Sequence, residues 1–160
     1  MPGWESFFVA EIGAAAALAG LIFVGVSINL NRVLSVKGLE EPALEALLLL
    51  LAVLVISTLA LVPAQPIWLV GAEVLMTGFV FWLTILIVQL RNLHKVDAQW
   101  RPRFVRSIFF SQIATVPYML SGVAILRWGA DGLYWMVPGI IASFVTAVVT
   151  AWVLLIEINR

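Results

Sequence analysis

Apolar and polar positions alternate along this chain on the scale of whole helices rather than single turns. Five long apolar runs cover 7–30, 43–62, 67–90, 104–126 and 133–156, each of 20 to 24 residues. At about 1.5 Å per residue, a helix of that length reaches roughly 30–36 Å, which matches a hydrocarbon core of about 30 Å. Lipid offers no partner for a bare N–H or C=O, so a run that crosses a bilayer has to be helical. The runs also lack the short alternation of barrel strands. The expectation is an all-α membrane protein: a five-transmembrane-helix bundle forming a single transmembrane domain over 1–160.

The breaks carry the polar residues. Between the first two runs lie Arg32, Lys37, Gly38, Glu40 and Glu41, and then Pro42, which suits the first turn of a helix. Pro63-Ala-Gln-Pro66 is a tight uncharged link whose prolines force a helix break. The stretch 91–103 is the most polar, and 127–132 reads as a short turn. Pro117 is expected to kink the fourth run, and Pro138 to do something similar near the start of the fifth.

Composition agrees with the pattern. Hydrophobic residues make up 63% of the chain and charged residues 11%. A water-soluble domain carries about 25% charged residues, so a polar shell cannot be built here. The formal net charge is zero, which gives no basis for nucleic-acid binding. Cysteine is absent, which removes disulfides and thiolate chemistry. No cation precedes the first run, so it is expected to be a retained span and not a cleaved signal.

Charge then predicts orientation. One side of the five-span arrangement collects Arg32, Lys37, Arg91, Lys95, Arg101, Arg103, Arg106 and Arg160, and the other only Arg127. The positive-inside rule makes the first side cytoplasmic, with the N-terminus outside and the C-terminus cytoplasmic, as in a bacterial inner membrane. Trp4, Phe7, Phe8, Trp68, Trp128, Tyr134 and Trp135 fall at the outer interface, where amphipathic rings prefer to sit. Arg91, Lys95, Arg101, Arg103 and Arg106 are expected to contact lipid headgroups, at about 1 kcal/mol per cation on an anionic leaflet.

Three ionisable residues share the outer level: Glu11, Glu73 and Arg127. A carboxylate inside the membrane costs about 2.5–3.5 kcal/mol on insertion scales, so it needs a partner or a wet cavity. One reading is a Glu73–Arg127 pair with Glu11 nearby, forming an outer vestibule or proton site. The other is that Glu11 snorkels to the interface and Glu73 makes one structural hydrogen bond or salt bridge. A second pattern runs along the fifth helix, where Gly139, Ser143, Thr146, Thr150 and Glu157 share a stripe. Several copies around an axis would line a pore with hydroxyls and a ring of Glu157. The same residues also suit ordinary close packing between membrane helices. Asn29, Asn31 and Arg32 end the first helix at the depth of Gln89, where amides serve as interhelical glue.

Catalytic chemistry finds no footing. Asp97 and Asp131 both fall in breaks, His94 is the single histidine, and no glycine-rich phosphate loop occurs. His94 and Asp97 alone do not make a metal site. The expectation is a non-enzyme with no metal and no cofactor.

The run Trp4-Glu-Ser-Phe7-Phe8, the small-residue segment from Gly13 to Gly20, and Leu21-Ile-Phe-Val-Gly-Val-Ser-Ile-Asn-Leu30 resemble a group of small bacterial multi-pass membrane proteins. Some of these are labelled modulators of a membrane-bound AAA protease. The resemblance covers the first helix and implies a membrane-protein partner. Two functions follow as expectations. In one, a homo-oligomer in membrane lipid forms an ion channel or small-solute pore. In the other, the chain is a non-conducting regulatory or scaffold subunit of another membrane complex. Small faces on the first and fifth helices favour a homo-oligomer in either case.

Overall fold

The structure, a computed structural model, describes residues 3–28, 30, 40–93 and 101–155, with the backbone alone at 40–41, 92–93, 101–107 and 154–155. Helices α1 (Trp4–Ile28), α2 (Glu40–Ala60), α3 (Ile67–Leu93), α4 (Arg101–Trp128) and α5 (Val137–Leu155) follow in order, with a 3-10 segment, Gly129–Met136, before α5. Among the described residues there is no strand. Four helical stretches are long and apolar enough to cross a membrane: Trp4–Ile28, Pro42–Ala60, Ile67–Arg91 and Ile108–Val153. The last has 46 residues and runs through the 3-10 segment.

Their outer surfaces are apolar. Phe23, Met76, Phe109, Val149 and Trp152 are all exposed. Patches of this extent are foreign to a protein bathed in water and natural against acyl chains. The protein is a multi-pass, all-helical membrane protein.

The prolines act at the link between α2 and α3. Leu61 and Val62 donate to the carbonyls of Thr58 and Leu59 at 3.2 Å each, tightening the end of α2 into i→i−3 bonds. Ala64 then takes a left-handed φ of 58°. The Pro66 carbonyl accepts from Leu69 (2.9 Å) and Val70 (3.3 Å), which opens α3.

The chain forms two compact units, Met1–Pro63 with Ser143–Arg160, and Ala64–Ala142. In the first, α1 packs on α2. The buried residues of α1 are Phe8, Ala15, Ile22 and Gly25, one narrow line along the helix. Trp4, Phe7 and Phe8 cluster at its start, with ring centroids 5.4–5.8 Å apart. On α2 the buried side chains include Ala46, Leu49, Leu50, Val53 and Ile56.

In the second unit α3 and α4 form an antiparallel pair joined through glycine. A Cβ on Gly71 would meet Ile125 and Leu126, one on Gly78 would meet Tyr118 and Met119, and one on Gly122 would meet Leu75. As the residue number rises on α3 it falls on α4, which gives the antiparallel register. Beyond α4 the chain turns back. A Cβ on Gly132 would run into the backbone of Ala124 and Ile125, and one on Gly139 would lie 2.9 Å from the Ala114 carbonyl oxygen. In one straight helix, positions 114 and 139 would stand about 37 Å apart. The Ser121 hydroxyl donates to the Gly132 carbonyl at 2.9 Å and ties the 3-10 segment to α4.

Two local expectations change. Residues 133–136, assigned to the fifth helix by their apolarity, belong to the 3-10 segment, and Pro138 starts α5 from its first turn instead of bending it. Pro117 lies inside an unbroken α4.

Candidate functional site

Helix α1 presents the most regular uncovered feature. Ser6, Ala10, Gly13, Ala17, Gly20, Val24 and Ser27 recur at spacings of four and three in alternation, and all seven are exposed. That 3.5-residue period keeps them on one side of a supercoiled helix, roughly opposite the buried line. A Cβ on Gly13 or Gly20 would meet nothing within 4 Å. The Ser27 hydroxyl is spent on the Phe23 carbonyl at 2.8 Å, so the strip offers shape rather than hydrogen bonds at that end. A bare small-residue strip lets another helix backbone approach closely, which is the usual geometry of transmembrane association.

The second unit holds a row of polar groups between apolar surfaces. At the start of α3, Gln65 Nε2 donates to Glu73 Oε2 at 2.6 Å. Halfway along, Trp82 Nε1 donates to Gln112 Oε1 at 2.6 Å. The Thr115 hydroxyl donates to the Ser111 carbonyl at 2.9 Å. Ser111, Thr115 and Ser121 are all buried. Gln65 Oε1, Ser111 Oγ and Gln112 Nε2 are buried without a partner.

The predicted site residues fall in different places. Glu11, on α1, is half-buried, and its Oε2 has no hydrogen-bond partner. Glu73 is half-buried and bonded to Gln65, whereas Arg127 at the end of α4 is exposed and makes no ion pair with it. On α5, Gly139, Ser143 and Thr150 are buried and Thr146 is half-buried. The exposed side of α5 is Ile141, Val145, Val148, Val149 and Trp152. Arg91 is exposed in the last turn of α3. Lys95, Glu157, Asn29, Asn31, Arg32, His94 and Asp97 lie outside the described residues, as do the side chains of Arg101, Arg103 and Arg106. Trp68, Trp128, Tyr134 and Trp135 are exposed at the end of the second unit where α3 begins and α4 finishes. Among the described residues no three His, Cys, Asp or Glu side chains gather into a metal-binding group.

Sequence reasoning passed over Gln65, Trp82 and the glycines of α3 and α4. The 71–78 glycine spacing was the available signal, a full heptad on one face of an apolar run. No protein-family model, characterised protein or solved structure matches the chain.

Proposed function

We propose that the protein is a non-enzymatic assembly subunit of the membrane, joined to further copies of itself through α1. The uncovered seven-residue strip on α1 carries this reading. The stripe on α5 argues in the same direction: Ser143 and Thr150 are already buried within one chain, so they are not free to line a pore between copies. The exposed side of α5 is bulky and apolar, suited to lipid.

In this reading Ile108–Val153 crosses twice. Its return at Gly139 beside Ala114 supports that count, and it brings the spans to five. The cation bias then sets the N-terminus outside and the C-terminus in the cytoplasm of a bacterial inner membrane, with the exposed Trp68, Trp128, Tyr134 and Trp135 at the outer interface. A membrane-bound AAA protease, the partner implied by the resemblance, is the heteromeric form of the same idea, with a partner helix on the α1 strip.

The test is molar mass in mild detergent for wild type, Gly13→Leu and Gly20→Leu. Both glycines face open space, so leucine fits within one chain while blocking close approach of a second. The expected result is an oligomer for wild type and a monomer of unchanged thermal stability for each variant. An oligomer untouched by both variants refutes the role of α1.

A conducting protein is the second reading, favoured by the polar row of α3 and α4, which spans several depths. It requires a path inside one chain. Liposomes that stay tight to ions and small solutes would sink it.

A further inference from the structure

Glu73 sits six residues into α3, about 9 Å along its axis, inside an apolar stretch long enough to span. A carboxylate there is expected to have a cationic partner, and Arg127 is exposed and unbonded to it. What reaches it is the amide of Gln65, which belongs to the turn above, where Ala64 is left-handed. That amide spends its N–H on Glu73 Oε2 and leaves its own carbonyl oxygen, Oε1, buried with no donor. Two kinds of acceptor therefore stand together, an uncompensated carboxylate and an orphaned amide oxygen.

Covalent geometry bounds their separation. The nitrogen and oxygen of one amide lie about 2.3 Å apart. Gln65 Nε2 is 2.6 Å from Glu73 Oε2. Gln65 Oε1 is therefore no more than about 4.9 Å from that carboxylate oxygen. Hard cations bind oxygen at about 2.3–2.6 Å, so the two oxygens are close enough to share one ion set to the side of the Nε2–H bond. A single carboxylate neutralises a single charge, and a divalent ion would leave net charge in apolar surroundings. Among the described residues no donor hydrogen-bonds to Gln65 Oε1.

We propose that Gln65 and Glu73 form a binding site for a monovalent, sodium-sized cation at the end of the second unit where α3 begins. The amide N–H orients the carboxylate, and both oxygens face the ion. The site is independent of the α1 strip, so loss of one leaves the other to be judged separately.

The test is thermal unfolding of the full chain in detergent, read by tryptophan fluorescence, against sodium chloride and choline chloride at equal ionic strength. Above saturation, each tenfold rise in sodium should raise Tm by about 3–5 °C, and choline should not. The sodium-specific rise disappears in Glu73→Gln and in Gln65→Leu. Sodium-23 relaxation on the wild-type protein gives a second measurement that needs no variant: bound ion broadens the line, and lithium competes it away. Equal responses to sodium and choline, a sodium effect that survives Glu73→Gln, or an unbroadened sodium line each overturns the proposal.

Discussion

Replacing Gly122 with alanine is expected to force α3 and α4 apart. The added Cβ would lie 2.6 Å from the Cβ and the backbone nitrogen of Leu75, and 2.7 Å from its Cα. Non-bonded heavy atoms normally rest about 3.5–4.0 Å apart, so the helices have to separate by roughly 1 Å at this level. Two of the three atoms are backbone and have no rotamer to escape into. A gap of 0.5–1 Å forfeits about a quarter to a half of each dispersion contact nearby, and overpacking costs about 1–3 kcal/mol in total. For a chain of this length that lowers Tm by about 2–12 °C.

Gly71 provides a graded comparison, because its closest neighbour is the Ile125 Cγ2 atom at 2.9 Å, which a side-chain rotation can move. Its alanine variant should lose less. Gly13 provides the control, with nothing within 4 Å. There alanine is neutral or gains up to about 1 kcal/mol of helix propensity. The assay is thermal unfolding by tryptophan fluorescence in a detergent that keeps the chain monomeric. Equal stability of Gly122→Ala and wild type, or a larger loss at Gly13 than at Gly122, refutes the close-packed hairpin.

Further outcomes follow from single contacts. Trp82→Phe and Gln112→Leu each break one mid-helix bond, and the double-mutant cycle should return a coupling of about 0.6–1.7 kcal/mol in the same unfolding assay. A coupling of zero removes that bond from the account. Ser121→Ala leaves the Gly132 carbonyl without its donor, which should cost about 1 kcal/mol and speed amide exchange across 129–136. Gly132→Ala brings a side chain into the backbone of Ala124 and Ile125, so the 3-10 segment should detach and Tm fall.

The helices were legible because length and hydropathy nearly suffice in lipid. The ends of α3 at Ile67 and Leu93 stand within three residues of the expected 67–90, since Pro66 stops the link and Arg91 marks the interface. The 3-10 segment was not legible. Leu133 and Met136 are as apolar as any helix residue, and apolarity does not distinguish i→i+3 from i→i+4 bonding. Its signal was Pro138, whose natural place is the first turn of a helix and not its interior. The glycines mislead for another reason. Small residues on α1 look built to be gripped, yet Gly13 and Gly20 open on nothing, while Gly122 touches a neighbouring backbone. What a glycine does depends on what stands opposite, and one chain's sequence does not contain that. Glu73 was recognised as needing a partner. A single structural hydrogen bond was one of the two readings for Glu73, but its donor, the neutral Gln65 eight residues earlier in the proline link, was not singled out.

The central claim is that α1 meets another copy along its small strip, and the absence of cysteine from the chain makes it directly measurable. Single cysteines at Gly13, Ala17, Gly20 and Val24, compared with exposed Val9, Ala16 and Phe23 off the strip, can be oxidised in native membranes. The account predicts disulfide-linked dimers at the strip positions, rising and falling with the four–three spacing, and little linkage elsewhere. Equal linkage at every exposed position of α1, or none at the strip, contradicts it.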